Sequence, residues 1–295
     1  MDFHEYQRRA LDTDQVPGPD GTALLVPLLG LAGEAGTLLS EYKKFLRDGE
    51  AHRLHRERVA EELGDLLWYV SNVASKYNLD LDQIARDNLA KVHGRWVLRG
   101  RASVTEVGAP RFDTGYPPHE RLPRQFDVQV TETRESERVI VQGFVNGEPL
   151  GSALTDNAYD PDGYRYHDAL HLAFAAVLGW SPVIRALLRR KRKSNPAVDE
   201  VEDGGRAIVI EEAIASIAFN YAKDHAFLDG VTSLDESLIR TVMSVSSHLE
   251  VAASSAGEWE MTILRGFDVW RELMEHAGGW LTVNLDERAI HFRPV

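Results

Sequence analysis

Apolar residues recur at helical spacing through the first hundred positions and turn to strand-like alternation only after residue 125. Phe3, Tyr6, Ala10 and Leu11 mark a first helix from Phe3 to Asp14, which Pro17-Gly18-Pro19-Asp20-Gly21 breaks. A longer helix is predicted from about Thr22 to Arg47, stopped by Asp48-Gly49. A third covers roughly Leu54 to Tyr77, with Leu63, Leu66, Leu67, Val70, Val73 and Ala74 on its buried side. Asn78-Leu79-Asp80 turns the chain, and Asp80 with Gln83 forms a capping-box pattern for a fourth helix ending near Trp96. Short connections make such helices antiparallel neighbours, so residues 1–97 are expected to form an all-α four-helix bundle.

Residues 98–124 scatter glycines and prolines among charges with no apolar period, which predicts a linker. Beyond it, Phe126–Thr131 and Arg138–Val145 alternate as strands, and Asn146-Gly147 is a hairpin turn signal. Trp280–Leu285 and Ala289–Phe292 predict a second hairpin, and helical runs lie between the two. Residues 125–295 are therefore expected to be a mainly helical α+β accessory domain with two β-hairpins.

Composition narrows the chemistry. The 295 residues contain no cysteine, which excludes disulfides, thiolate catalysis and Cys-ligated zinc. A formal charge of −13 disfavours nucleic acid as a partner, because phosphate backbones select basic surfaces. The opening Met1-Asp2-Phe3-His4-Glu5 lacks a basic-then-apolar leader pattern. The apolar stretch Leu24–Ala32, interrupted by Pro27 and Gly30, is too short to span a bilayer. A cytoplasmic protein with no membrane partner is the expectation.

Two carboxylate clusters lie on the second and third helices. Glu34 and Glu41 are seven apart, and Glu62 and Asp65 three apart, so each pair follows one side of its helix. Carboxylates facing each other across a helix pair suit a hard cation such as Mg2+. Glu62 and Asp65 lie beside an apolar stripe, where two carboxylates repel and need either a cation or exposure. Glu41 and the lysines after it read equally well as a solvated face with ordinary ion pairs.

These clusters, their separation and Asn88-x-x-Lys91 on the following helix resemble the MazG-type all-α nucleoside triphosphate pyrophosphohydrolases, as does the opening Phe3-His4-Glu5-Tyr6-Gln7. The resemblance covers about residues 2–97. It implies Mg2+-dependent cleavage between the α and β phosphates, with Mn2+ as a substitute ion, giving a nucleoside monophosphate and pyrophosphate. Glu62 and Asp65 match the Glu-x-x-Asp half of the family signature. In the Glu-Glu-x-x-Glu half, Glu34 matches the second glutamate, while Gly33 and Thr37 stand where the others would be. A threonine hydroxyl is a weaker, neutral ligand, and Glu41 one turn on could partly compensate.

On this resemblance Glu34, Glu62 and Asp65, with Glu41, are the expected metal ligands, and Glu61 or Glu41 would orient or deprotonate water. Lys43 or Lys44, Lys91 and Arg95 would neutralise phosphate oxygens. Asn88 and Asn72 suit phosphate or sugar contacts, and Gln7, Trp68 and Tyr69 contacts with the base. Trp68 and Tyr69 also read as core aromatics, and Asn72 as a local cap. The family habit of pairing bundles implies a homo-oligomer such as a homodimer, or internal pairing if the second domain is a repeat.

A second polar cluster falls in the C-terminal part. His167 and His171 are one helical turn apart, Asp168 adjoins them, and Glu211-Glu212 opens another apolar helix. His167, Asp168, His171 and Glu212 are a candidate transition-metal site, or a buried network that satisfies itself. His-Asp-x-x-His also echoes the Glu-Glu-x-x-Glu spacing, so a diverged second helical module is an alternative for this domain. Two functions emerge: a nucleotide pyrophosphohydrolase with an accessory domain, or a weakly hydrolytic or non-hydrolytic nucleotide sensor.

Overall fold

The structure is a computed structural model that describes residues 1–18, 21–100, 112–135 and 138–295, with residues 91 and 93–100 described by backbone alone. The chain forms two compact units, Met1–Val92 and His93–Val295.

The first unit is helical: α1 (Phe3–Leu11), α2 (Gly21–Asp48), α3 (His55–Lys76) and the start of α4 (Leu81–Gly100). Asp2 caps α1 by accepting from the Glu5 amide at 2.8 Å. The Gln7 side chain then fastens α1 to the α3–α4 corner. Its Nε2 donates to Ser75 Oγ at 3.0 Å and to the Leu79 carbonyl at 2.8 Å, and its Oε1 accepts from the Leu81 amide at 2.9 Å. The main packing is α2 along α3, with α1 seated on α3. At their crossing, a Cβ added to Gly30 would lie 2.2 Å from the Tyr69 ring, so only glycine admits this approach.

The N-terminal unit is helical as expected, and among the described residues several leucines on its helices are exposed. Leu25, Leu29, Leu39 and Leu46 on α2, Leu63 on α3 and Leu89 on α4 are more than half exposed. The sequence predicts the helices correctly, and among the described residues these leucines on α2, α3 and α4 are exposed. The expectation about apolar length needs correction. Gly21–Ala51 continues as helix through Pro27 and Gly30, and its 31 residues hold an 18-residue stretch with a mean hydropathy of 1.6, long and apolar enough to cross a membrane by length and composition. The same helix carries Glu34, Glu41, Lys43 and Lys44 and packs along α3, the pattern of a domain helix.

In the second unit, residues 112–124 belong to the packed body rather than to a free linker. Asp113, Glu120 and Leu122 are buried. Asp113 accepts from the Leu122 amide at 2.8 Å and from Arg185 Nη2 at 3.0 Å, and also pairs with Arg124. Polar anchoring of this kind leaves no apolar period for a sequence pattern to reveal. The predicted hairpins join into one antiparallel sheet of order β3-β2-β1-β4-β5. Its strands are β1 (Gln125–Glu135), β2 (Arg138–Val145), β3 (Glu148–Leu154), β4 (Gly278–Asn284) and β5 (Ala289–Arg293). Asn146 and Gly147 both take positive φ at the β2–β3 turn, as that dipeptide favours.

Helices α5 (Asp168–Ala173), α6 (Pro182–Leu187), α7 (Pro196–Val201), α8 (Gly205–Asp224), α9 (Glu236–Val245) and α10 (Ala256–His276) complete the unit. Every residue from Ala169 to Leu178 is buried, and α5 passes into a π-helical turn over Phe174–Leu178. A segment apolar on all sides has to be central. Helix α10 packs closely against it: a Cβ on Gly266 would sit 2.7 Å from Leu170 Cδ2. With α5 only six residues long and one sheet shared by both ends of the unit, a second helical module is not what this sequence builds.

Candidate functional site

The α2–α3 pair brings Glu34, Glu62 and Asp65 together. Each offers a carboxylate oxygen within 4.8 Å of the others. Glu62 and Asp65 share a face of α3 because they are one turn apart, and Glu34 lies one turn beyond the Gly30 crossing on α2. Among the described residues, the buried Glu62 Oε2 has no hydrogen-bond partner. Burial pushes the Glu62 carboxyl above its ordinary pKa, and the neighbouring Glu34 and Asp65 push it further. Burial, with the charge of Asp65, likewise raises the Tyr6 hydroxyl, which puts α1 beside the cluster. Three crowded carboxylates and an orphaned oxygen fit a hard divalent cation, which would relieve the repulsion and supply the missing partner.

Other expected site residues lie elsewhere. Glu41 is buried and bonded to Lys44, with His52 Nε2 at 2.9 Å. Lys44 above all holds its carboxyl below the usual range, against the effect of burial and with help from His52. Both Glu41 and Lys44 are thus engaged with each other, away from the three-carboxylate cluster. Glu61 is exposed and pairs with Arg58 at 3.1 Å. Thr37 is exposed, and its hydroxyl donates back to the Gly33 carbonyl at 3.3 Å. The Gln7 amide is filled by backbone and Ser75 contacts.

Trp68 Nε1 donates to Thr13 Oγ1 at 2.8 Å, and Tyr69 fills the Gly30 crossing. Asn72 is buried beside Asp14. Burial raises the Asp14 carboxyl, but Lys76 at 2.8 Å, the Val16 amide and Asn72 outweigh it and leave its pKa lowered. Asn88 is exposed on α4. Lys91 and Arg95 fall on α4, but their side chains lie outside the described residues.

The C-terminal cluster forms around the start of α5. His167 Nδ1 bonds the Tyr164 carbonyl at 2.8 Å, and Tyr164 stacks on its ring at 4.4 Å. His171, fully buried, bonds Glu211 Oε1 through Nδ1 at 2.8 Å and has Glu212 Oε2 3.3 Å from Nε2. Glu211 also accepts from Ser181 Oγ at 2.6 Å and from the Val183 amide at 2.7 Å. Burial alone would lower the His171 pKa, but Glu211 and Glu212 outweigh it and raise it to about 10. The sequence reading paired the histidines with Glu212 and missed Glu211 and Ser181. A signal was present, since Glu211 shares the stripe of Ala207, Ile214, Ala215 and Ala218, the buried face of α8.

Fold and site together define a class: a helical unit with a three-carboxylate cluster, joined to an α+β unit with a five-stranded sheet. The chain belongs to the MazG family, the MazG nucleotide pyrophosphohydrolase domain matching residues 28–97 and the MazG C-terminal domain residues 107–295. It is similar to the Gene 37 protein of Mycobacterium phage L5, at 35% identity over 96 residues, 30% of this chain and 84% of that protein. No solved structure matches the chain.

Proposed function

We propose that the N-terminal unit is a Mg2+-dependent nucleoside triphosphate pyrophosphohydrolase. The observation that carries this reading is the convergence of Glu34, Glu62 and Asp65 around the orphaned Glu62 Oε2, in a domain of the MazG family. Glu34, Glu62 and Asp65 would hold Mg2+, with Mn2+ able to substitute. Bound there, the ion supplies positive charge to the phosphates and lowers the pKa of water. Water adds to the α phosphorus while the bond to the bridging oxygen breaks, so monophosphate and pyrophosphate leave in equal amounts. Asn88, exposed on α4, serves the phosphates.

The uncovered leucines of α2, α3 and α4 support pairing with a second copy, whose helices would close the bundle. Light scattering on the purified chain tests this, and a monomer at micromolar concentration would exclude it.

A panel of ribo- and deoxyribonucleoside triphosphates with Mg2+, assayed for both products, tests the reaction. Glu62→Gln and Asp65→Asn should each cut turnover by orders of magnitude while the helical circular dichroism persists. Orthophosphate plus diphosphate as first products, or full activity in both variants, would overturn the assignment. One feature favours a second reading, a nucleotide sensor: Thr37 is exposed and bonded back to Gly33, so the cluster has three carboxylates. Saturable Mg2+-dependent nucleotide binding without pyrophosphate release would establish the sensor instead.

A further inference from the structure

We propose that the C-terminal unit holds a divalent transition-metal ion between α5 and α8, ligated by His167 Nε2, His171 Nε2 and the carboxylates of Asp168 and Glu212, with Glu211 as the positioning residue. This site is independent of the carboxylate cluster in the first unit and stands or falls without it.

The tautomers carry the argument. His167 Nδ1 faces a carbonyl oxygen and His171 Nδ1 faces a carboxylate oxygen, each at 2.8 Å. Both acceptors require Nδ1 to bear the hydrogen, so Nε2 is the nitrogen each ring turns to an ion, and an ion binding at His171 takes the place of the Nε2 proton. Metal-binding histidines are commonly oriented this way, the far nitrogen donating to a carbonyl or a carboxylate. Glu211 is itself fixed by Ser181 and the Val183 amide, so it cannot swing away from His171.

The donor atoms already face one another. His167, Asp168 and His171 each place one within 4.8 Å of the other two. Glu212 Oε2 lies 3.3 Å from His171 Nε2 and 4.0 Å from His167 Nε2, and Asp168 Oδ1 lies 3.8 Å from His167 Nε2. Ligands about 2.0–2.1 Å from a tetrahedral ion stand roughly 3.3 Å apart, so small rotations of side chains suffice. Among the described residues, the buried His171 Nε2 makes no hydrogen bond, although Glu212 is near. A metal would bind His171 Nε2 and Glu212 Oε2 together in place of their ion pair. Two imidazoles with two carboxylates suit Mn, Fe, Co or Zn better than Mg or Ca. Asp168 and Glu212 are 26% and 44% exposed at the side chain, which leaves an entry route from solvent.

The test uses the full chain, stripped with a chelator and titrated with Co2+ in excess Mg2+, which occupies the hard-cation cluster. One equivalent of Co2+ should bind with a ligand-field absorption band, and Zn2+ should displace it. Glu212→Gln and Asp168→Asn, both at the solvent edge and so expected to fold, should each weaken Co2+ binding at least tenfold. Glu211→Gln should weaken it about 10–100-fold and shift the band, as loss of an outer-shell partner does. Glu62→Gln should leave it unchanged. Absent stoichiometric Co2+ binding, or binding that persists in Glu212→Gln and Asp168→Asn, would overturn the proposal, and so would binding lost in Glu62→Gln.

Discussion

Gly30→Ala tests the link between helix packing and the carboxylate site. The new methyl would sit 2.2 Å from the Tyr69 ring, where ordinary contact is 3.4–4 Å. Relief therefore needs a movement of more than about 1 Å, either of the ring or of α2 away from α3. Overpacking of this kind costs about 1–3 kcal/mol, offset by about 1 kcal/mol because alanine is the better helix former. The net loss of stability should be at most about 2 kcal/mol, small enough for the fold to survive. The functional effect should be larger. Glu34 is one turn after Gly30 and Asp65 one turn before Tyr69, so separating the helices there pulls apart carboxylates that now lie within 4.8 Å. Misplacement by about 1 Å can cost on the order of a hundredfold in rate. Pyrophosphate release measured against Mg2+ concentration should show a higher Mg2+ requirement and a large loss of turnover. Removing the ring in Gly30→Ala/Tyr69→Ala should recover much of both, a non-additivity expected only of residues in contact. Unchanged Mg2+ dependence in the single variant, or no recovery in the double, would refute the link.

Three further outcomes follow from the geometry. Thr37→Glu should lower the Mg2+ concentration for half-maximal activity if its side chain can turn from Gly33 to the cluster, and an unchanged requirement would show that Thr37 does not face the ion. Gln7→Ala should lower stability by roughly 1 kcal/mol, mainly through the part-buried Leu81 amide it leaves unpaired, with KM for nucleotide unchanged. A raised KM at unchanged melting temperature would restore Gln7 to the base site. Burial opposes the charge on Asp113, but Arg124, the Leu122 amide and Arg185 hold its pKa below 3.8. A carboxyl depressed in the folded state stabilises above its unfolded pKa, and that contribution disappears as pH falls through the folded value. Melting curves should therefore show the second unit losing stability below about pH 4, with a shallower loss in Asp113→Asn; parallel curves for the two would exclude this role.

Local signals in the sequence were reliable where the chain makes its own structure. The four N-terminal helices, the Asn146-Gly147 turn and the pairing of Glu62 with Asp65 all follow from spacing over a few residues. Strand β3 escaped notice because Pro149 and a positive-φ Gly151 interrupt its alternation at the sheet edge. Joining the hairpins depends on β1 pairing with β4, a contact between distant segments that no local period records. Glu211 and Glu212 are adjacent and chemically identical, and only the buried stripe of α8 separates the inward one from the outward one. Asp113 was hidden in a stretch of linker composition because arginines, not apolar neighbours, anchor it.

The pairing of β1 with β4 also sets a schedule for synthesis. The β4-facing edge of β1 is complete in sequence by Glu135, yet its partner begins only at Gly278. A ribosome adding about 5–20 residues per second reaches that partner some 7–30 s later. Through that interval the nascent chain exposes a strand edge with nothing to pair it, the feature that invites association between unfinished chains. That edge closes only when the last strands emerge.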